Sequence, residues 1–232
     1  MRKSSHERAP SPRSPKRRTP AKPPPRAAAL LVPLHPNADD PTALETQVYQ
    51  AILERRPAQI ISRLKEILAK PDPALGYHNG GLRFWLGWVQ HIAGDHAAAQ
   101  ESWRQARSEL EPFLKEQPEN YDLIGDLALT NMGLGDKEGA LALSERGIAV
   151  LPIERDVVTG AAPIETLARV AAQTGEHDRA IAALQQVLSI PGTGALDKYM
   201  PLTPALLRLD PMFDPLRNDP RFQKLAESPA PK

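Results

Sequence analysis

Cysteine is missing from all 232 residues. That excludes a disulfide framework, a thiolate nucleophile and sulfur-ligated zinc. It is easiest to reconcile with a reducing interior, so a cytoplasmic protein is expected. Aromatic residues are scarce at 5%. No apolar run approaches the roughly 20 residues that span a bilayer. The apolar stretch Ala27 to Leu34 follows basic residues, but it is short, contains Pro33 and lies deep behind a proline-rich segment, which is not the layout of a secretory signal. A net charge of one sign is also missing, since the formal total is only +1.

That small total hides an asymmetry. Residues 1 to 26 hold nine Lys or Arg against the single acid Glu7, a local charge of +8 that leaves −7 for the remaining 206 residues. The 25 prolines are just as uneven. Residues 1–38 are rich in Ser, Pro, Arg and Lys, show no apolar period and include Pro23-Pro24-Pro25, which is the composition of a disordered arm. Arg2, Lys3, Arg13, Lys16, Arg17, Arg18, Lys22 and Arg26 would let it hold nucleic acid, an anionic surface or an acidic protein. No aromatic residue interleaves with these charges, so a solubilising leader or a start assigned too far upstream explains the arm equally well.

Order is expected from Asp40, which can cap a helix whose first residue is Pro41. Leu44, Val48 and Ile52 follow at four-residue spacing, and Pro57 opens a second helix carrying Ile60, Ile61, Leu64, Ile67 and Leu68. Residues 39–70 therefore read as a leading helix pair, either a degenerate repeat or a cap.

Three helical hairpins follow, at about 80–113, 121–154 and 161–192. Gly94-Asp95, Gly135-Asp136 and Gly175-Glu176 occupy equivalent turns, with Ala99, Ala140 and Ala180 five residues after each glycine. Leu86-Gly87, Leu127-Ala128 and Leu167-Ala168 precede the turns at a fixed offset. Small residues at Gly87 and Ala99 let two helices approach closely while Trp103 fills the volume beside them. The expected core is Leu86, Ala99, Trp103, Leu127, Ala140, Leu167, Ala180 and Leu184. Phe113 to Glu119 and Glu154 to Gly160 read as links that lengthen the units. Residues 193–228 form a proline-punctuated cap with short helices near Pro204 to Leu209 and Pro220 to Leu225.

This pattern resembles the tetratricopeptide repeat, whose period is about 34 residues. The phrase LLRLDPMFDPLRNDPRFQKL is also similar to the end of the tetratricopeptide half of bacterial multidomain signalling proteins. The likeness covers about residues 42–226, and the catalytic or DNA-binding half of those proteins has no counterpart here. It implies an all-α, right-handed α-solenoid with a concave groove lined by the first helix of each hairpin. The groove positions map to Gly81, Phe84, Trp88 and His91, then Asp122, Gly125, Leu129 and Met132, then Ala162, Glu165, Arg169 and Ala172. Phe84 and Trp88, four apart, either make one exposed anchor or pack on residues 57–69. Glu165 and Arg169 have the spacing of a modest salt bridge.

Chemistry is sparse. Gly133, Gly135 and Gly139 miss a dinucleotide-binding spacing by one and lie on an interhelical turn. No phosphate-binding loop, metalloprotease helix or nucleophile elbow is present. His78, His91 and His96 lack the convergent partners of a metal site and read as surface or groove residues. The expectation is a protein that is not an enzyme, takes no cofactor and no metal, and binds an apolar helix or extended peptide. Its contact residues are expected to be Phe84, Trp88, His91, Leu129, Met132, Glu165 and Arg169.

Overall fold

The computed structural model describes residues 41–197 and 200–228. The basic arm and the Asp40 cap lie outside them. The described residues form α-helices and short 3-10 segments, with no strand among them. In chain order these are α1 (Pro41–Leu53), α2 (Ala58–Leu68), a 3-10 turn (Pro73–Leu75), α3 (His78–Ile92), α4 (His96–Glu116), α5 (Tyr121–Leu134), α6 (Lys137–Val150), α7 (Ala161–Gln173), α8 (His177–Leu188), α9 (Pro204–Leu209), a 3-10 segment (Pro211–Leu216) and α10 (Pro220–Glu227). No described helix is long and apolar enough to cross a membrane.

The hairpins α3–α4, α5–α6 and α7–α8 share one turn geometry. Gly94, Gly135 and Gly175 take φ of 87°, 82° and 82°, the left-handed region that suits glycine. The residue after each glycine then donates its N–H five residues back: Asp95 to Gln90, Asp136 to Asn131 and Glu176 to Ala171. Asp95 and Asp136 also cap the following helix by accepting from Ala98 and Gly139 N–H. Behind the turns, Ala99, Ala140 and Ala180 are fully buried. The first helices also pack on one another, α3 on α5 and α5 on α7, while α4 packs on α5 and α6 on α7.

Trp103 is the tightest point of this packing. A Cβ on Gly87 would lie 2.5 Å from its Cδ1, and one on Gly133, from the next hairpin, 2.5 Å from its Cδ2. The indole thus sits between two glycines and donates to the Phe84 carbonyl at 3.2 Å. Of the expected core, Leu167 alone is only half-buried, because it borders a hollow of about 310 Å³ with Ile148, Ile153 and Ala183 beside the 151–160 link.

One local feature differs from the sequence-based expectation, and two others add detail to it. Helix α4 continues through Pro112 to Glu116, so the extra length there is helix and not link. Pro112 lies inside this helix and removes the one backbone bond that its N–H would have made. The leading pair also differs from the later hairpins: α1 and α2 both pack on α3 and touch each other little. The α1–α2 turn repeats the hairpin geometry, with Arg56 N–H on the Ala51 carbonyl, but a non-glycine, Arg55, takes the left-handed place at φ 57°. Finally, the tail is built from three similar starts. Thr203, Asp210 and Asp219 each accept a backbone N–H, from Leu206, Met212 and Arg221, and each precedes a proline. Phe213 and Phe222, with ring centroids 6.2 Å apart, anchor this tail in an apolar cluster with Ala168, Ala180 and Leu184.

Candidate functional site

The positions expected to line a groove do share one face of α3, α5 and α7. That face is covered. Helix α1 lies across it, and no described residue of α1 is classed as exposed. Leu44, Val48, Tyr49 and Ile52 are buried, and Tyr49 meets Trp85 with ring centroids 6.1 Å apart. The C-terminal segment covers the remainder through Leu196, Asp210 and Met212, all buried.

The expected contact residues consequently lie inside. Phe84 and Trp88 are 1% and 4% exposed, so they do not form an exposed anchor. Leu129 and Met132 are also buried. Phe84 and Leu129 reach the wall of a small hollow, whereas Met132 borders a second one with Trp88, His91 and His96. The physical reason is area: exposing this apolar stripe would forfeit roughly 1.5–3 kcal/mol for each large side chain, and α1 is the nearest apolar surface that can cover it.

Glu165 and Arg169 were expected as a modest pair on one helix. They instead form the centre of a closed polar network, with Glu165, Arg169 and Tyr49 each 1% exposed and Asp210 0%. Arg169 Nε and Nη2 donate to Glu165 Oε1 at 2.8 and 2.6 Å. Nη2 also donates to the Tyr49 hydroxyl at 3.1 Å, and Nη1 donates to Asp210 Oδ2 and to Met212 Sδ. The Tyr49 hydroxyl in turn donates to Asp210 Oδ2 at 2.7 Å. The second oxygens are used as well, Glu165 Oε2 by Ala195 N–H and Asp210 Oδ1 by Met212 N–H. The guanidinium lies 5.7 Å from the Tyr49 ring centroid and 5.0 Å from that of Phe213. Burial opposes the Arg169 charge, but Asp210, Tyr49 and Glu165 more than compensate, so its pKa is raised. Burial, and then the Asp210 carboxylate, push the Tyr49 phenol well above its ordinary range.

Four segments distant in sequence meet here: α1, α7, the stretch near Ala195 and the 3-10 segment. The network is a fastening. Each Arg169 N–H has an acceptor within it, and both carboxylates accept through both oxygens. Tyr49 and Asp210 escaped sequence reasoning, although Asp210 carried a signal as the Asp of an Asp-Pro helix start.

Beneath α1 remains a hollow of about 70 Å³. Its polar wall includes Glu45, Asp122 and Asp126, and its aromatic wall Tyr77, Trp85 and Tyr121. Gly125 opens onto it, with a Cβ there only reaching 3.5 Å from Thr166 Oγ1.

The histidines divide. His78 stacks on Tyr77 at 4.4 Å beside that hollow. His91 stacks on Trp88 at 5.3 Å, with planes 9° apart, and its Nδ1 is 3.2 Å from His96 Nδ1. One of these nitrogens must donate and the other accept, so the contact disfavours a doubly protonated pair. Burial, then His96, lower the His91 pKa. Among the described residues no group of three or more His, Cys, Asp or Glu could hold a metal. Comparison with known proteins yields no family model, no curated protein and no solved structure that matches this chain.

Proposed function

We propose that the chain is a non-catalytic interaction module, a tetratricopeptide-like right-handed solenoid that acts as an adaptor by holding a peptide or helix on the α3–α5–α7 face. The observation that carries this reading is that the face already holds a helix, the chain's own α1, and leaves a polar and aromatic hollow beside it. A surface that packs one helical segment along its length has the shape and chemistry for helix-in-groove recognition.

Peptide display against the immobilised full chain tests this reading, with Gly125→Leu as the counter-variant that fills the hollow. Peptides enriched on the wild type should lose at least tenfold in affinity on the variant, about 1.4 kcal/mol. Enrichment of nothing, or equal binding to both chains with unchanged helicity, would sink the proposal.

The +8 charge of residues 1–26 favours a second reading, in which the arm tethers the protein to nucleic acid or an anionic surface. Binding that falls steeply between low and moderate salt and disappears without residues 1–38 would establish it.

A further inference from the structure

We propose that α1 is a displaceable occupant of the α3–α5–α7 face, and that an amphipathic partner helix with α1's own chemistry takes its place. The inference rests on the interaction-module reading and names both the partner class and the gate. Four observations support it.

The packing of α1 comes first. Unlike the second helix of each hairpin, α1 makes little contact with its sequence neighbour α2, and its main helical partner is α3. Its apolar anchors Leu44, Val48 and Ile52 face inward as a four-residue ladder, and Tyr49 projects beside them into the Arg169 network. That is how a bound helix engages a groove.

Second, polar groups fasten α1 at two points along its length and at a third in the turn that follows it. Thr46 Oγ1 donates to Asp197 Oδ2 at 2.6 Å, Tyr49 to Asp210 at 2.7 Å, and Arg55 Nη2 to both oxygens of Asp214 at 3.0 and 2.9 Å. All three acceptors belong to the C-terminal segment. The two coverings of the face therefore hold each other in place, and loosening the acceptors frees the helix.

The third observation is the hinge. Arg55 occupies a left-handed conformation that costs an L-residue energy and that glycine adopts freely in the other turns. Its side chain is the one that reaches Asp214, so the strained residue is also the outermost fastening.

Fourth, α1 does not fill its seat. The hollow lined by Glu45, Trp85, Gly125 and Leu129 borders it, and a partner helix with a larger side chain at the Glu45 place would fill that room.

The test uses the full chain and a fluorescent synthetic peptide of residues 40–56. Apparent affinity scales with the fraction of molecules in which α1 has left the face. Wild type should therefore bind weakly. The variant Thr46→Val/Tyr49→Phe/Arg55→Ala removes these three fastenings while keeping the strained φ and every apolar anchor, and it should bind about tenfold tighter or more. Hydrogen exchange should show α1 alone losing protection when peptide is added, and a peptide with Val48→Asp and Ile52→Asp should not bind. The proposal is overturned if α1 stays as protected in the variant as in wild type, or if it opens and the peptide still does not bind. A concentration-dependent dimer of the variant by light scattering would also overturn it, by naming a second copy's α1 as the occupant. Continued binding of display peptides that are sensitive to Gly125→Leu would show that only the gate had failed and not the interaction-module reading.

Discussion

Substituting Gly87 by Ala gives the sharpest test of how the hairpins are packed. Helix propensity alone predicts a gain, since Ala in a helix interior is about 1 kcal/mol better than Gly. The geometry predicts the reverse. The added Cβ would stand 2.5 Å from Trp103 Cδ1 and 2.8 Å from Cε2. The indole has little room to retreat, because it lies so close to Gly133 that a Cβ there too would stand 2.5 Å from Cδ2 and Cε2. Overpacking of this kind costs about 1–3 kcal/mol. Displacing the ring also strains its bond to the Phe84 carbonyl, about 1 kcal/mol more. The expected net loss is therefore roughly 1–3 kcal/mol, at about 2–4 °C of Tm per kcal/mol for a chain of this size. Gly147→Ala is the matched control. Its Cβ would meet Ile124 and Pro163 at an ordinary 3.6 Å. That variant should keep most of the propensity gain and melt up to about 4 °C higher. Thermal circular dichroism at 222 nm with urea titrations separates the two. A Gly87→Ala protein that melts at or above wild type would show that Trp103 is not wedged between the hairpins.

Replacing Arg169 by Met leaves Glu165 and Asp210 buried without their cation, a loss of about 3–5 kcal/mol by urea unfolding. Arg169→Lys should recover little, because one ammonium cannot reach the partners that Nε, Nη1 and Nη2 share. Tyr49 has a raised pKa, so its contribution is complete below about pH 10 and is lost as pH rises through the raised value. Absorbance at 295 nm should show one of the four tyrosines resisting ionisation until unfolding, a signal that Tyr49→Phe removes. His91 has a lowered pKa, so the unfolded chain takes up its proton first, and stability should fall as pH drops below about 6.5. His91→Gln should flatten that slope, and an unchanged slope would assign it to other groups.

Local order was largely legible in the chain. Gly94, Gly135 and Gly175 announced the turns because the left-handed region costs every other residue something. Gly87 with Trp103 announced a close approach of two helices because volume must balance across a packed interface. The Thr-Pro and Asp-Pro starts of the tail are similarly local, each needing only an acceptor and a ring with no amide proton.

Tertiary structure decided what covers what. A periodic pattern says which side of a helix is apolar, but not which neighbour lies against it. Phe84 and Trp88 were therefore equally consistent with an exposed anchor and a core. Glu165 and Arg169 show the limit most clearly. Four residues apart on a helix, they carry the signature of a solvated pair, and their burial depends on Asp210, 41 residues beyond Arg169, and Tyr49, 120 before it. A polar pair enters a core only when distant groups meet every donor and acceptor, and that condition exists in space and not along the chain. The chain by itself determined helices, turns and close approaches. Only the folded molecule decided that α1 would lie on the α3–α5–α7 face, because competition among apolar surfaces for one seat is settled by which of them the connecting segments allow to arrive.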